Sequence, residues 1–287
     1  MNHDTSSKHA FGCLCAMHSR RMFTGGVLGA GALLAVPAWA REGVEVGSRS
    51  NFSMIVSAEQ IEQAAAQQYR EMLQQATAKN ALAGSNSPQL KRLRAIAQRL
   101  IPFTFEWNDR ARAWRWEVNL INSAQINAFC MPGGKIAFYT GILDQLNLTD
   151  DEAAMVMGHE MAHALREHAR ARLAKTQATS MGLSLGAQLL GLGDLGNVAA
   201  NLGTQLLSLK FSRSDETEAD LVGLELAARG GFDPDASVSL WRKMGEATKN
   251  QGGLAFLSTH PSGPDRIRQL EANVPRVEGL YQAARRG

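Results

Sequence analysis

Residues 159–163 read His-Glu-Met-Ala-His, and this pentapeptide restricts the possible folds more than any other feature of the chain. Two histidines four residues apart share a face only if the segment is helical. On a helix their imidazoles can converge on one metal ion, with the Glu160 carboxylate beside it to take a proton from an attacking water. Met155, Val156, Met157, Met161, Ala162 and Leu165 surround the motif. The helix is therefore expected to be packed, and half-buried histidines need a reason to be there. Thr149-x-x-Glu152 is a capping box that opens this helix, and the pattern carries it to about Lys175. His168, five residues past His163, is then turned away from the ligand face and is expected in solvent.

A metal on two histidines needs a third protein ligand, so the fold must bring a second element to the first. Residues 212–223 begin another helix, with Ser214 as the expected cap, and Glu216 and Asp220 share one of its faces. Glu216 can complete a His₂Glu set for one Zn²⁺ per chain and leave a fourth position open, as catalytic zinc requires. Spacing alone does not choose Glu216 over Glu218. Asp220 would then hydrogen-bond the far nitrogen of a ligating histidine and fix its tautomer.

Around these helices the pattern predicts an α+β fold, a mostly helical domain with a small β-sheet beside the metal helix. Trp114, Trp116, Val118 and Leu120 alternate with polar residues over one strand. Candidate strands at 126–131 and 135–139 flank Pro132-Gly133-Gly134, a turn signal. Upstream, residues 41–55 read as a loose lead-in and Ser57 to Ala78 as an amphipathic helix. Ser87-Pro88 opens another helix to about Leu100. From Thr176 to Leu209 Asp194 is the lone charged residue, among glycines that break the run. This segment is expected to be a helical hairpin that acts as lid, core or peripheral membrane contact.

The N-terminus reads as a leader. Arg20-Arg21 precede the uncharged stretch 22–40, which ends Ala38-Trp39-Ala40, a small-x-small cleavage pattern. Ser19-Arg20-Arg21-Met22-Phe23 resembles the twin-arginine export signal, and a cleaved signal with a periplasmic location is expected. The division is then 1–40 signal peptide, 41–110 N-terminal helical region and 111–287 zinc metallopeptidase domain. The chain's net charge is +3, and residues 1–40 supply +2 of it. The remainder has no basic excess for nucleic acid. Cys13 and Cys15 leave with the leader, so Cys130 stands alone and reads as a small buried residue.

Four segments between about residues 110 and 275 resemble zinc metalloendopeptidases of the HtpX, CAAX-prenyl-endopeptidase and BepA type, a gluzincin family. They are Asn127-Ala-Phe-Cys-Met-Pro-Gly-Gly-Lys-Ile with Gly141, then His159 to His163, then Glu216-Thr-Glu-Ala-Asp220, and Thr259-His260-Pro261 with Arg266-Ile267. The resemblance implies that Glu216 rather than Glu218 is the zinc ligand and Glu160 the catalytic base. It implies that Asn127, Ala128, Phe129, Gly133 and Gly134 belong to a strand and turn that bind substrate as an added strand. It gives His260 one of two roles, support of the oxyanion or occupation of the fourth zinc position. The implied partners are unfolded or misassembled protein substrates, and the implied task is quality control of envelope proteins. The competing reading is a chaperone that binds unfolded clients in the same cleft with little proteolysis.

Overall fold

The computed structural model describes residues 42–176, 179, 206, 209–251, 255–260 and 265–286. Arg41–Gly287 form one compact unit. The expected leader, and the expected hairpin but for Thr176, Thr179, Leu206 and Leu209, lie outside the described residues. No helix among the described residues is long and apolar enough to cross a membrane.

Helix starts follow their caps. The Ser57 side chain accepts from the Gln60 N–H and opens α1, Ala58–Ala78. Ser87 accepts from Leu90, with Pro88 in the first turn, and opens α2, Pro88–Leu100. The segment from residue 42 differs from the loose lead-in expected of it. Val44 is buried, and its N–H donates to Glu225 Oε2 at 2.9 Å, because a buried carboxylate must find donors.

Three strands follow: β1, Glu117–Ile121; β2, Ala128–Met131; and β3, Lys135–Tyr139. Their order is β1-β3-β2, with β3 parallel to β1 and antiparallel to β2. The first strand starts later than its alternation predicts, since Trp114 and Trp116 lie ahead of it with ring centroids 5.3 Å apart. Gly133 and Gly134 turn the chain at φ +83° and +76°. A Cβ on Gly134 would lie 2.7 Å from the Trp116 ring, so this glycine is also needed for packing.

After α3, Thr140–Gln145, comes α4, Asp150–Leu165, which carries the pentapeptide. Both bonds of the Thr149/Glu152 capping box are present. From Glu152 to Leu165 the helix is buried on every side. It packs against α2, β2, α5 (Arg213–Arg229) and α6 (Ala236–Gln251). The chain closes with α7, Ala255–Thr259, and α8, Asp265–Arg286. The cap of α5 is Ser212 rather than Ser214: Ser212 Oγ accepts from the Asp215 N–H, and the Asp215 carboxylate accepts from the Ser212 N–H at 2.8 Å.

Helices α4 and α5 cross where each has a glycine. A Cβ on Gly223 would sit 2.6 Å from the backbone nitrogen of His159, and one on Gly158 2.7 Å from the Gly223 carbonyl oxygen. The contact is backbone to backbone, so Gly223→Ala must push apart the two elements that carry the site. The expected cost is about 1–3 kcal/mol. Thermal melting checks it, with a lowering of about 2–4 °C per kcal/mol for a chain of this size. An unchanged midpoint would mean that the helices do not approach so closely.

Helix α4 ends ten residues earlier than its pattern predicts. Arg166 is its C-cap, Glu167 takes a left-handed φ of +59°, and a second helical run covers 168–176. Glu167 is held there by ion pairs to Arg170 at 2.7 Å and Arg49 at 3.5 Å. A non-glycine residue in this region is uncommon and carries strain. Its effect is to re-aim the next residue, His168.

Candidate metal centre

His159 and His163 project from the same face of α4, as their spacing requires, with Nε2 atoms 3.1 Å apart. Helix α5 brings Glu216 against them: Oε2 lies 3.6 Å from His159 Nε2, and Oε1 lies 3.5 Å from His163 Nε2. All three side chains are buried. His260, at the end of α7, completes the cluster, with Nδ1 3.1 Å from Glu216 Oε1 and 3.4 Å from His159 Nε2. One donor atom from each of the four residues lies within 4.8 Å of all the others.

These residues fit zinc on two counts. Zinc–ligand bonds of about 2.0–2.2 Å in a tetrahedron separate neighbouring donors by roughly 3.3–3.6 Å, close to the spacings found here. The tautomers also agree. Asp220 Oδ1 accepts from His159 Nδ1–H at 3.0 Å. His163 Nδ1 is paired at 2.9 Å with His168 Nδ1. With both Nδ1 atoms engaged outward, the two imidazoles direct their Nε2 atoms at one point beside a carboxylate. Such an arrangement is stable with a cation between them.

Asp220 is fixed in turn by Arg266 on α8, whose Nε and Nη2 donate to Oδ2 and Oδ1 at 2.6 and 2.7 Å. Arg266 Nη1 donates to Glu216 Oε2 at 2.8 Å, and its guanidinium carbon sits 3.5 Å from the centre of the Trp241 ring. Burial alone would raise the Asp220 carboxyl. Arg266 and the His159 hydrogen bond outweigh it and hold the group at about 2. Glu216 is likewise lowered, its burial outweighed by His260, His159 and Arg266.

Glu160 is in the opposite situation. Its carboxyl is pushed above the usual carboxylate range, chiefly by burial, against the nearby histidines. Oε1 is buried with no hydrogen-bond partner, and His260 Nε2 lies 3.5 Å away. A buried acceptor left unpaired beside donor atoms for a metal is free to receive a proton.

The site opens on a cleft lined by β2, Glu160, His163, His260 and the apolar Leu206, Leu209 and Phe211. β2 is an edge strand, whereas β3 is paired on both sides. Of the two strands between residues 127 and 139, β2 alone has an unpaired edge. The Tyr139 N–H donates to the Asn127 carbonyl. By the alternation of an antiparallel pair, Asn127, Phe129 and Met131 bond to β3, while the polar groups of Ala128 and Cys130 face away from it, the Cys130 N–H toward the Glu160 carboxylate. The Ala128 N–H is met by Asn127 Oδ1 at 3.0 Å. Gly133 and Gly134, in the turn beyond, are not among the residues lining the cleft. Cys130 is a buried free thiol.

His168 is where sequence spacing misleads. Expected in solvent, it is buried and bonded to His163, because the left-handed Glu167 breaks the helix between them. No spacing rule flags it. Arg266 stood in a family-like segment without a role and proves to join two carboxylates of the site.

Residues 87–274 match the sequence profile of peptidase family M48. The mitochondrial metalloendopeptidase OMA1 of Schizosaccharomyces pombe is 41% identical over 166 residues, 57% of this chain and 48% of that protein. The metalloprotease LoiP of Escherichia coli is 28% identical over 199 residues, 69% of this chain and 75% of that protein. The beta-barrel assembly-enhancing protease of Yersinia pestis is 26% identical over 159 residues, 52% of this chain and 32% of that protein. The chain spans about half or less of the length of the OMA1 relatives it matches first. Those OMA1 proteins bear mitochondrial names, which overturns the periplasmic location expected from the leader. A basic, apolar N-terminus can mark a chain for targeting without specifying which compartment reads it. The expected zinc, the expected metallopeptidase class and the α+β fold are borne out, and the chain belongs to peptidase family M48, a family of zinc metallopeptidases.

Proposed function

We propose that this chain is a zinc-dependent endopeptidase that cleaves extended segments of unfolded or misassembled proteins. The observation that carries the reading is the convergence of two imidazole nitrogens and the Glu216 carboxylate beside Glu160 Oε1, which has no hydrogen-bond partner. His159, His163 and Glu216 would hold the zinc. When bound, zinc supplies Lewis acidity, polarising the scissile carbonyl and acidifying the attacking water. Glu160 Oε1 takes the water proton and later returns it to the leaving amine. A raised carboxyl suits the first step, since it is a stronger base than an ordinary carboxylate and holds the accepted proton more firmly. Ala128 and Cys130 offer main-chain groups to a peptide lying antiparallel along β2, with the Asn127 side chain turning aside from the Ala128 N–H. Leu206, Leu209 and Phe211 favour an apolar side chain next to the cut, which suits segments normally hidden in a folded core.

The test is digestion of casein by the zinc-loaded full chain, with dialysed metal-free protein beside it. Cleavage that returns with zinc supports the reading. Zinc binding without any cleavage, even with His260→Ala, would favour the client-binding chaperone instead.

His260 acts in this reading as a plug. Its Nδ1 stands at donor distance from Glu216 and His159, and its ring is stacked on Phe256 at 4.4 Å. Removing it should open the fourth position to water. His260→Ala is expected to raise casein cleavage about tenfold, equivalent to about 1.4 kcal/mol in favour of the closed form. A fall in activity with zinc retained would instead assign His260 to the oxyanion.

A further inference from the structure

We infer that His168 and Glu218 form a positioning relay that fixes the tautomer and ring of His163 for the metal. The inference rests on the zinc reading above and adds residues that the reading does not use. The relay starts at His163 Nδ1, 2.9 Å from His168 Nδ1. It continues from His168 Nε2 to Glu218 Oε2 at 3.1 Å. Glu218 Oε2 also accepts from Arg166 Nε at 2.9 Å, and Arg166 Nη2 donates to the Gly47 carbonyl. His163, His168 and Arg166 are buried, while Glu218 is the wetter end of the chain.

The protons can be assigned from the far end. An ionised carboxylate only accepts, so His168 carries its proton on Nε2. With its proton on Nε2, His168 presents Nδ1 as the acceptor for His163 Nδ1–H. His163 is left with its lone pair on Nε2, the atom that faces His159 and Glu216. One carboxylate thus sets two tautomers in series. Glu218 Oε2 is held from both sides, by His168 Nε2 and by Arg166 Nε. The Phe211 ring, stacked on His163 at 4.0 Å, restrains the imidazole plane.

The two ligand histidines are therefore supported differently. His159 is held by a carboxylate in direct contact, Asp220, and His163 by a carboxylate acting through a second imidazole. The turn at Glu167 makes the second arm possible. In an unbroken helix a residue five places on is rotated by about 140° and cannot meet His163. Here φ of +59° at Glu167 brings His168 back against it. The strain at that position thus has a geometric use.

The experiment measures zinc affinity of the full chain by competition with a chelator, comparing His168→Leu, His168→Asn, Glu218→Gln and the pair of His168→Leu with Glu218→Gln. Loss of an outer partner of this kind typically weakens metal binding ten- to a hundredfold. His168→Leu is expected to fall in that range. His168→Asn, whose amide oxygen can stand near Nδ1, should recover most of the loss. Glu218→Gln should cost roughly tenfold and add little to His168→Leu, since both cut one arm. A packing role alone would leave Asn no better than Leu. That result, or Leu binding zinc as tightly as the wild type, overturns the relay. If His168→Leu does not fold, the Glu218→Gln affinity decides, and equality with the wild type overturns the relay. Absence of zinc binding by the wild type would instead sink the zinc reading itself.

Discussion

Glu160→Gln is expected to bind zinc as the wild type does and to lose casein cleavage by about 10²–10⁴-fold, the usual worth of a positioned general base. The amide keeps the shape of the side chain and cannot take the proton. Its effect on stability should run the other way. Burial raises the Glu160 carboxyl in the folded chain, so the folded state holds this proton more tightly than the unfolded state. Such a group favours folding at low pH, and that contribution is lost as pH rises through the folded value. Above that folded value the buried carboxylate opposes folding of the metal-free protein, so its replacement should there leave the melting temperature unchanged or higher. Inactivity together with a marked loss of stability would point to a structural Glu160 and count against the base.

Arg266→Ala should have the largest effect on the fold. The guanidinium makes two hydrogen bonds to Asp220 and one to Glu216, lies 3.5 Å from His159 Nδ1 and packs on Trp241, all in buried surroundings. Removing it leaves two buried carboxylates facing each other without their cation. Breaking such a network costs about 3–5 kcal/mol. Zinc affinity should fall with it, because Arg266 occupies Glu216 Oε2 and holds the carboxylate that orients His159. Arg266→Lys should recover little, since a point charge cannot span both carboxylates as the planar fork does. Chemical denaturation of metal-free protein and chelator competition read the two effects separately. Wild-type stability in Arg266→Ala would mean that the buried carboxylates find protons or other partners. The same pairing implies a pH dependence. With the Asp220 carboxyl lowered to about 2, its contribution is complete above about pH 4. It should disappear as pH falls toward 2.

Much of the site was legible in the chain because its determinants are local. Four-residue spacing on a helix fixes which side chains share a face, so His159 with His163 and Glu216 with Asp220 could be paired before any fold was known. Thr149 with Glu152, Ser87 with Pro88, and Pro132-Gly133-Gly134 are signals whose causes lie within a few residues, and each is found in the structure. Local signals misled where two readings compete over the same few residues. Ser212 caps α5 in place of Ser214 because the Asp215 carboxylate reaches back to it.

What the chain could not disclose by spacing are consequences of long-range packing. The length of α4 depended on one residue, Glu167, adopting a left-handed conformation that its own preference opposes and that Arg49 and Arg170 help to hold. From that single departure His168 moves from solvent to the metal centre. Which strand is the open edge depended on β3 entering between β1 and β2, a choice of topology that alternation cannot express. Arg266 reaches its carboxylates from some 46 to 50 residues away in the chain. By itself, then, the sequence determined the metal-binding face and the helix starts, whose causes act within a turn or two. Tertiary structure decided what supports that face from behind, because buried charges are satisfied by whichever partners the packing brings within reach.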